Sequence, residues 1–365
     1  MSMPMRDFPE LAEARREQHP ATRLRLLRRA GEAAREALLA EGPALALATC
    51  PLVTFPYPTL YAFSGAARSV APYVMMTNRM QVVQWREEGP GGGALRTLLF
   101  NPTDYERGQR APFYWNLRQR YGSFVSDKLL SSRHGTVARH LDSLGLRVED
   151  VDFIAFDHLH VQDVRGWLGA PGTPAFFPRA KLLVQRTEWE GARDLHPMQR
   201  AWYVPGGTDG VPEDRVVLLD GDVRLGPGVA ILSTPGHTLG NMSLAVVTPD
   251  GPFVISENAV ATESLSPLSS GIGGLRTAAE HLGQEVILNG NTREHSLEQY
   301  SSMILEKTVA GPSKRDPSFV NFYPSSELTP SLTAPGLAPT FSHGDIGFGT
   351  VRRPDEAQTA AHRVA

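Results

Sequence analysis

The period of the apolar positions changes several times along the chain, and each change marks a different element. Residues 9–41 are dominated by Ala, Leu, Glu and Arg, which predicts helix with one interruption at Pro20. Leu24, Leu26, Leu27, Ala30 and Ala34 make one mostly apolar stripe with arginines around it, the pattern of a docking helix with a solvated basic face. Residues 43–73 mix prolines, aromatics and small residues (PLVTFPYPTLYAFSG) and predict irregular structure or short strands. From Tyr73 the alternation in YVMMTNRMQVVQW predicts a half-buried strand. Gly89-Pro90-Gly91-Gly92-Gly93 then predicts a turn, and ALRTLLF the returning strand.

Helical segments follow around residues 107–121 and 133–144, the second stopped by Gly145. Short apolar runs at VDFIAFD (151–157), AKLLVQ (180–185), VVLLD, VAILSTPG, MSLAVVTP, PFVISEN and EVILNGN read as strands. TEWEGAR, TAAEHLGQ and the amphipathic HSLEQYSSMILEKTVA read as helices. After residue 316 the chain turns rich in Pro, Ser and Thr without a period, and its last fifteen residues predict disorder. Strands outnumber helices in the middle and helices flank them. That predicts an α/β fold of two mixed β-sheets packed face to face with helices outside.

Composition narrows the function classes. Apolar residues make up 41% and charged residues 21% of the 365, enough for a sizeable core and far from a disordered chain. With 36 basic and 39 acidic residues the net charge is −3, which offers no electrostatic case for nucleic acid or an anionic membrane as partner. The single cysteine, Cys50, excludes an intrachain disulfide and a cysteine-rich metal site, and reads as a small core side chain. No run of about 18 apolar residues is present, and the charged start has no apolar signal core, so a cytoplasmic location is expected.

Candidate chemistry lies in two strand-end segments. In Phe156-Asp157-His158-Leu159-His160-Val161-Gln162-Asp163, two histidines follow a strand at i and i+2, and imidazoles so placed can converge on one divalent ion if the backbone turns there. In Ser233-Thr234-Pro235-Gly236-His237-Thr238-Leu239-Gly240-Asn241, Gly236 permits a sharp turn and His237 projects from a strand end. A third imidazole gives the three-nitrogen set of a catalytic zinc site with a position left for water.

Together these segments resemble the metallo-β-lactamase superfamily over roughly residues 74–310, including LDSLGLRVEDVDFIAFDHLHVQDVRGWLG, FPRAKLLVQRTEWEG and STPGHTLGNMSL. The resemblance implies an αββα sandwich with a metal site at one edge between the sheets. It implies a domain over residues 73–315, with residues 1–72 an extension packed on it and 316–365 a partly disordered tail. It makes His158, His160 and His237 the ligands of a first metal site. The family's Asp of the first motif falls on Gln162 and its second His on Asp163. Its bridging Asp falls on Asn258 or, with a one-residue slip, on Glu257, and its last His falls on Asn291, with His295 four residues on.

The resemblance thus implies a hydrolase acting on an ester-, lactone- or amide-like bond of a small molecule. One divalent ion is expected rather than two, Zn²⁺ before Mn²⁺ or Fe²⁺. Asp163 and Asn258 are expected as further ligands, and Asp163 and Glu257 as the carboxylates that take a proton. Asn258 is expected to face the site and Glu257 to face away. Two other readings stay open: a member without hydrolytic activity that binds or supports, and a non-hydrolytic iron-dependent enzyme on the same fold. A homodimer also stays open.

Overall fold

The computed structural model describes residues 5–87, 93–122, 131–291 and 293–355. Residues 89–92 of the expected turn and residues 356–365 of the expected disordered end lie outside them. Two mixed β-sheets with flanking helices make the fold, as expected. The chain divides into two compact units: Met1–Pro43, Thr54–Asn78 and Gly221–Gly344 form one, and Ala44–Val53, Arg79–Asp220 and Asp345–Ala365 form the other.

In the first unit a six-stranded sheet runs Arg6–Asp7, Val223–Gly226, Val229–Ser233, Met242–Thr248, Gly251–Ser256 and Phe322–Pro324. Neighbours are antiparallel except the last pair, where Val254 and Phe322 lie in parallel register. One face of this sheet, through Ala230, Leu232, Ala245, Val247 and Val254, shares a core with the helices Pro20–Ala40 and Ser296–Ala310. Pro20 opens its helix at the first position, where a missing N–H costs nothing. The fully packed stripe is Leu27, Gly31, Ala34 and Leu38, a helical spacing shifted from the one expected, with Leu24, Leu26 and Ala30 packed at its margin. Gly31 marks a close approach of the two helices, since a Cβ there would lie 3.0 Å from the Cβ of Thr308. The basic face is paired: Arg15 holds Asp222 at 2.6 Å, Arg23 meets Glu298 and Arg28 meets Glu285.

In the second unit, Leu95–Phe100 pairs antiparallel with Gln81–Arg86 and parallel with Phe153–Ala155. Lys181–Gln185 and Val216–Leu219 continue the sheet in parallel. The parallel strands read as continuous apolar runs because both faces are covered; Ile154, Ala155, Leu182 and Leu183 are wholly buried.

Two expectations are corrected. Residues 43–73, expected to be irregular or short strands, instead open with one long strand, Ala46–Pro58, of 13 residues. Its prolines at 51, 56 and 58 cannot donate to a ladder and so hide the strand signal, yet Leu47, Cys50, Leu52, Val53 and Tyr57 are buried. Burial also pushes the Cys50 thiol up to about 11. The run EVILNGN forms no strand, although Val286, Ile287 and Asn289 are buried. Its backbone N–H groups go one by one to loops instead, Ile287 to Ser264, Asn289 to Asn258 and Gly290 to Tyr61. The Pro/Ser/Thr-rich stretch supplies the strands Phe322–Pro324, Ser326–Thr329 and Gly347–Phe348. No helix among the described residues is long and apolar enough to cross a membrane.

A buried carboxylate ties part of that stretch down. Glu263 is wholly buried and accepts hydrogen bonds from Ser270 Oγ and the Gly271 N–H through Oε1, and from the Thr340 N–H through Oε2. Removing it leaves the buried Ser270 hydroxyl and two part-buried loop N–H groups without their acceptor. Glu263→Ala is therefore expected to lower the unfolding free energy by about 3 kcal/mol, and denaturant melts of the variant against wild type read it.

Candidate metal centre

The first motif leaves the C-terminal end of the parallel strand Phe153–Ala155, the end at which open parallel sheets place ligands. A chain of hydrogen bonds then sets the turn. Asn101, in the left-handed region at φ +59°, donates its backbone N–H to the Ala155 carbonyl. Its side chain clamps Asp157, with Nδ2 donating to Oδ2 at 3.0 Å and Oδ1 accepting from the Asp157 N–H at 3.1 Å. The other Asp157 oxygen accepts from the His158 N–H at 2.9 Å and faces His158 Nδ1 at 2.8 Å. With Nδ1 turned to a carboxylate as donor, His158 presents Nε2.

His160 is fixed from the opposite side. Its Nε2 lies 3.0 Å from Gln199 Oε1, an acceptor, which orients Nδ1 the other way. Its ring stands 4.6 Å from His158 at 88°, with Tyr203 edge-on at 4.8 Å and Trp202 tilted at 6.0 Å. Trp202 in turn stacks on Phe113 at 4.6 Å. Burial first, and the neighbouring His158 second, push the His160 imidazole well below its ordinary value, so the ring is neutral. Between the two histidines, the Leu159 N–H donates to Glu188 at 2.7 Å, and the Tyr203 hydroxyl donates to the same oxygen at 2.8 Å. Val161, just after His160, sits at φ +54°, a costly conformation for a β-branched residue, and its N–H is held by the Trp202 carbonyl.

Asp163 is held by arginines. Both its oxygens accept from Arg165, Nε and Nη2 each at 2.8 Å, and Arg107 and Arg110 stand at 3.7 and 3.8 Å. Its side chain is wholly buried, so the guanidinium supplies the countercharge that burial demands. Gln162 donates its amide to Thr103 Oγ1 at 3.1 Å.

The second motif belongs to the other unit and links the strands Val229–Ser233 and Met242–Thr248. The Thr234 N–H donates to the Asn241 carbonyl and the Gly236 N–H to the Thr238 carbonyl, closing the turn. Glycine is required at 236, since a Cβ would stand 2.3 Å from the Gln299 Cα. His237 is 2% exposed, and its N–H donates to Asn258 Oδ1 at 3.2 Å. Asn291 brings its amide nitrogen within 3.4 Å of His237 Nε2. The Asn258 amide nitrogen donates to the Thr234 carbonyl at 3.1 Å and to Glu306 Oε1 at 2.8 Å. Asn258 thus sits at His237, with its side chain committed to the turn itself. Glu257 is buried, and its carbonyl accepts from the Asn289 side chain. His295 is half-buried in the short helix Arg293–His295.

Sequence reading missed Asp157, Gln199, Glu188 and Glu306. Asp157 adjoins His158 and could have been found from that adjacency. Glu306 is hidden inside an amphipathic helix, where a glutamate ordinarily marks the solvated face. It is fully buried, and desolvation raises its carboxyl from 4.5 to about 7 against the opposing effect of hydrogen bonds from Ser243 and Asn258. A carboxyl raised in the folded state stabilises fully below its unfolded value and loses that contribution as pH rises through the folded one. Metal-free wild type is therefore expected to lose stability relative to Glu306→Gln between pH 4.5 and about 7, with the gap constant above. Thermal melts across that range measure it.

No family model matches the chain. Among curated proteins it is 30% identical over 145 residues to an N-acyl homoserine lactonase of Bacillus sp, covering 39% of this chain and 52% of that protein. It is 32% identical over 136 residues to the N-acyl homoserine lactonase AiiA of Bacillus thuringiensis subsp. kurstaki, covering 37% of this chain and 49% of that one. The chain spans about half the length of the curated relatives it matches. Among solved structures it is similar to an N-acyl homoserine lactone hydrolase with the product N-hexanoyl-L-homoserine bound at its catalytic metal centre, 20% identical with a TM-score of 0.43 over 66% of this chain and 88% of that one. It is also similar to a dizinc quorum-quenching lactonase in complex with a product, 11% identical with a TM-score of 0.49 over 85% and 96%. The identity to lactonases agrees with the resemblance that the motifs at residues 158–160 and 233–241 bear to the metallo-β-lactamase superfamily.

Proposed function

We propose that this protein is a metal-dependent hydrolase that opens the ring of a small-molecule lactone, with an N-acyl homoserine lactone as its substrate class. The observation that carries the reading is the buried imidazole pair. His158 and His160 are oriented from opposite ring nitrogens by Asp157 and Gln199, and His160 is held neutral. Neutral imidazole is the form that donates to a metal, and a hydrogen bond on the far nitrogen fixes which nitrogen does so. The lactonase relatives support the substrate class.

In this reading His158 Nε2 and His160 Nδ1 hold one divalent ion, zinc before manganese or iron, and the resemblance of the second motif adds the ring of His237. Such an ion supplies Lewis acidity toward a carbonyl oxygen and lowers the pKa of water toward neutrality. The protein's own contribution is orientation. Asn101 and Asp157 keep His158 in one tautomer, Glu188 holds the Leu159 backbone between the two rings, and Gly236 lets the His237 turn close against the Ser296–Ala310 helix. Asp163 has its oxygens on Arg165, and Asn258 its amide on Thr234 and Glu306, which supports a single ion with neither residue as ligand. In this reading the proton-accepting role belongs to Glu257, assigned by the resemblance and buried beside Asn258.

Elemental analysis of protein purified without chelator tests the metal claim. About one equivalent of transition metal per chain is expected, with lactone hydrolysis lost on chelation and restored by Zn²⁺. Less than about 0.1 equivalent, with no uptake of Zn²⁺, Mn²⁺ or Fe²⁺, contradicts it. Glu257→Gln is expected to lower kcat by about 10²- to 10⁴-fold while leaving metal content unchanged.

A further inference from the structure

The carboxyl group of Glu306 has no role in the reading so far, yet it is wholly buried and lies one side chain away from the His237 backbone. It projects from the helix Ser296–Ala310 and accepts from Ser243 Oγ at 2.6 Å and from Asn258 Nδ2 at 2.8 Å, both on Oε1. Asn258 is wholly buried too. A carboxamide has one accepting and one donating end, and here both ends are assigned by their neighbours. The donating end faces two acceptors, the Thr234 carbonyl and Glu306. The accepting end therefore faces the His237 N–H. Turning the amide over would place its oxygen against a carbonyl and a carboxyl oxygen, and its N–H₂ against an N–H, so the buried surroundings permit one orientation.

We propose that Glu306, acting through the side-chain amide of Asn258, is the positioning residue of His237. The inference rests on the reading of His237 as a metal ligand, and it gives Asn258 a role that an ion-facing side chain would not have. The same helix braces the turn at two further points. Ser302 Oγ donates to the Pro235 carbonyl at 2.7 Å, and the Gln299 side chain donates to the Asn258 carbonyl at 3.1 Å. Thr234 and Ser243 exchange a hydroxyl bond at 2.6 Å beneath them. The polarity of the chain Glu306–Asn258–His237 thus runs from acceptor to donor to acceptor to donor, and one inversion breaks it.

The test inverts it once and then again in the full-length protein. Asn258→Asp sets carboxyl against carboxyl. Glu306→Gln keeps an acceptor for Asn258 and alone should bind zinc as wild type does. In the double variant the glutamine amide introduced at position 306 can donate to the carboxylate introduced at position 258, which restores a donor–acceptor pair. Zinc affinity, by competition with a chromophoric chelator at fixed pH, is expected to fall about 10- to 100-fold in Asn258→Asp and to recover most of that loss in the double variant. Hydrogen–deuterium exchange of residues 234–241 in the metal-free protein should follow the same order, faster in Asn258→Asp and slowed again in the double variant. If Asn258→Asp does not fold, Glu306→Leu replaces it, with the same loss expected from removing the acceptor. Tighter zinc binding or a second zinc in Asn258→Asp would show that residue 258 faces the ion, and would overturn the proposal. Affinity and exchange left unchanged by Asn258→Asp, or by Glu306→Leu in its place, would overturn it as well. Wild type that takes up no zinc while exchange still follows the predicted order defeats the metal reading and leaves Glu306 as the residue that positions His237.

Discussion

The carboxylate of Asp157 is the constraint on which the metal reading depends. One of its oxygens meets both the His158 N–H and the His158 ring, and the other is held by Asn101. An imidazole can offer either nitrogen to a ligand, and a small loop at a strand end has little else to decide between them. With Asp157 on Nδ1 and Gln199 on the opposite nitrogen of His160, the two rings present unlike nitrogens although they lie only two residues apart. That difference lets neighbouring side chains of one loop approach a common point from two directions. The loop is held at some expense: Val161 adopts a conformation that a β-branched residue normally avoids.

The changes at the positions assigned by resemblance to a second ion share one physical theme. A buried charge must be matched, and here polar groups are matched to one another. Asp163 answers to Arg165, Asn258 to Glu306 and the Thr234 carbonyl, and Gln162 to Thr103. These pairings are local to each unit. The exchange of a carboxylate for an amide at Asn258 is coherent with Glu306 next to it, since two carboxylates at that spacing would repel.

Much of this was legible in the sequence. The strands that carry the motifs, the helix Ser296–Ala310 and the histidines themselves have strong local signals, because apolar runs ending in Gly, Asp or His are short-range features. What escaped depends on distant partners. The strand Ala46–Pro58 was obscured by its prolines, and the run EVILNGN had a strand's composition but bonds to scattered loops. Glu188 and Glu306 look like surface glutamates in their helices, and only the tertiary structure shows them buried and hydrogen-bonded. Asp163 follows two histidines closely, and its partner, Arg165, lies only two residues further on.

X-ray absorption at the zinc edge of the loaded protein tests the central claim most directly. The proposed single ion on His158, His160 and His237 predicts scattering from three imidazole rings per zinc and no metal–metal distance. A zinc–zinc vector at about 3.5–4 Å, or a shell dominated by carboxylate oxygens, would contradict it.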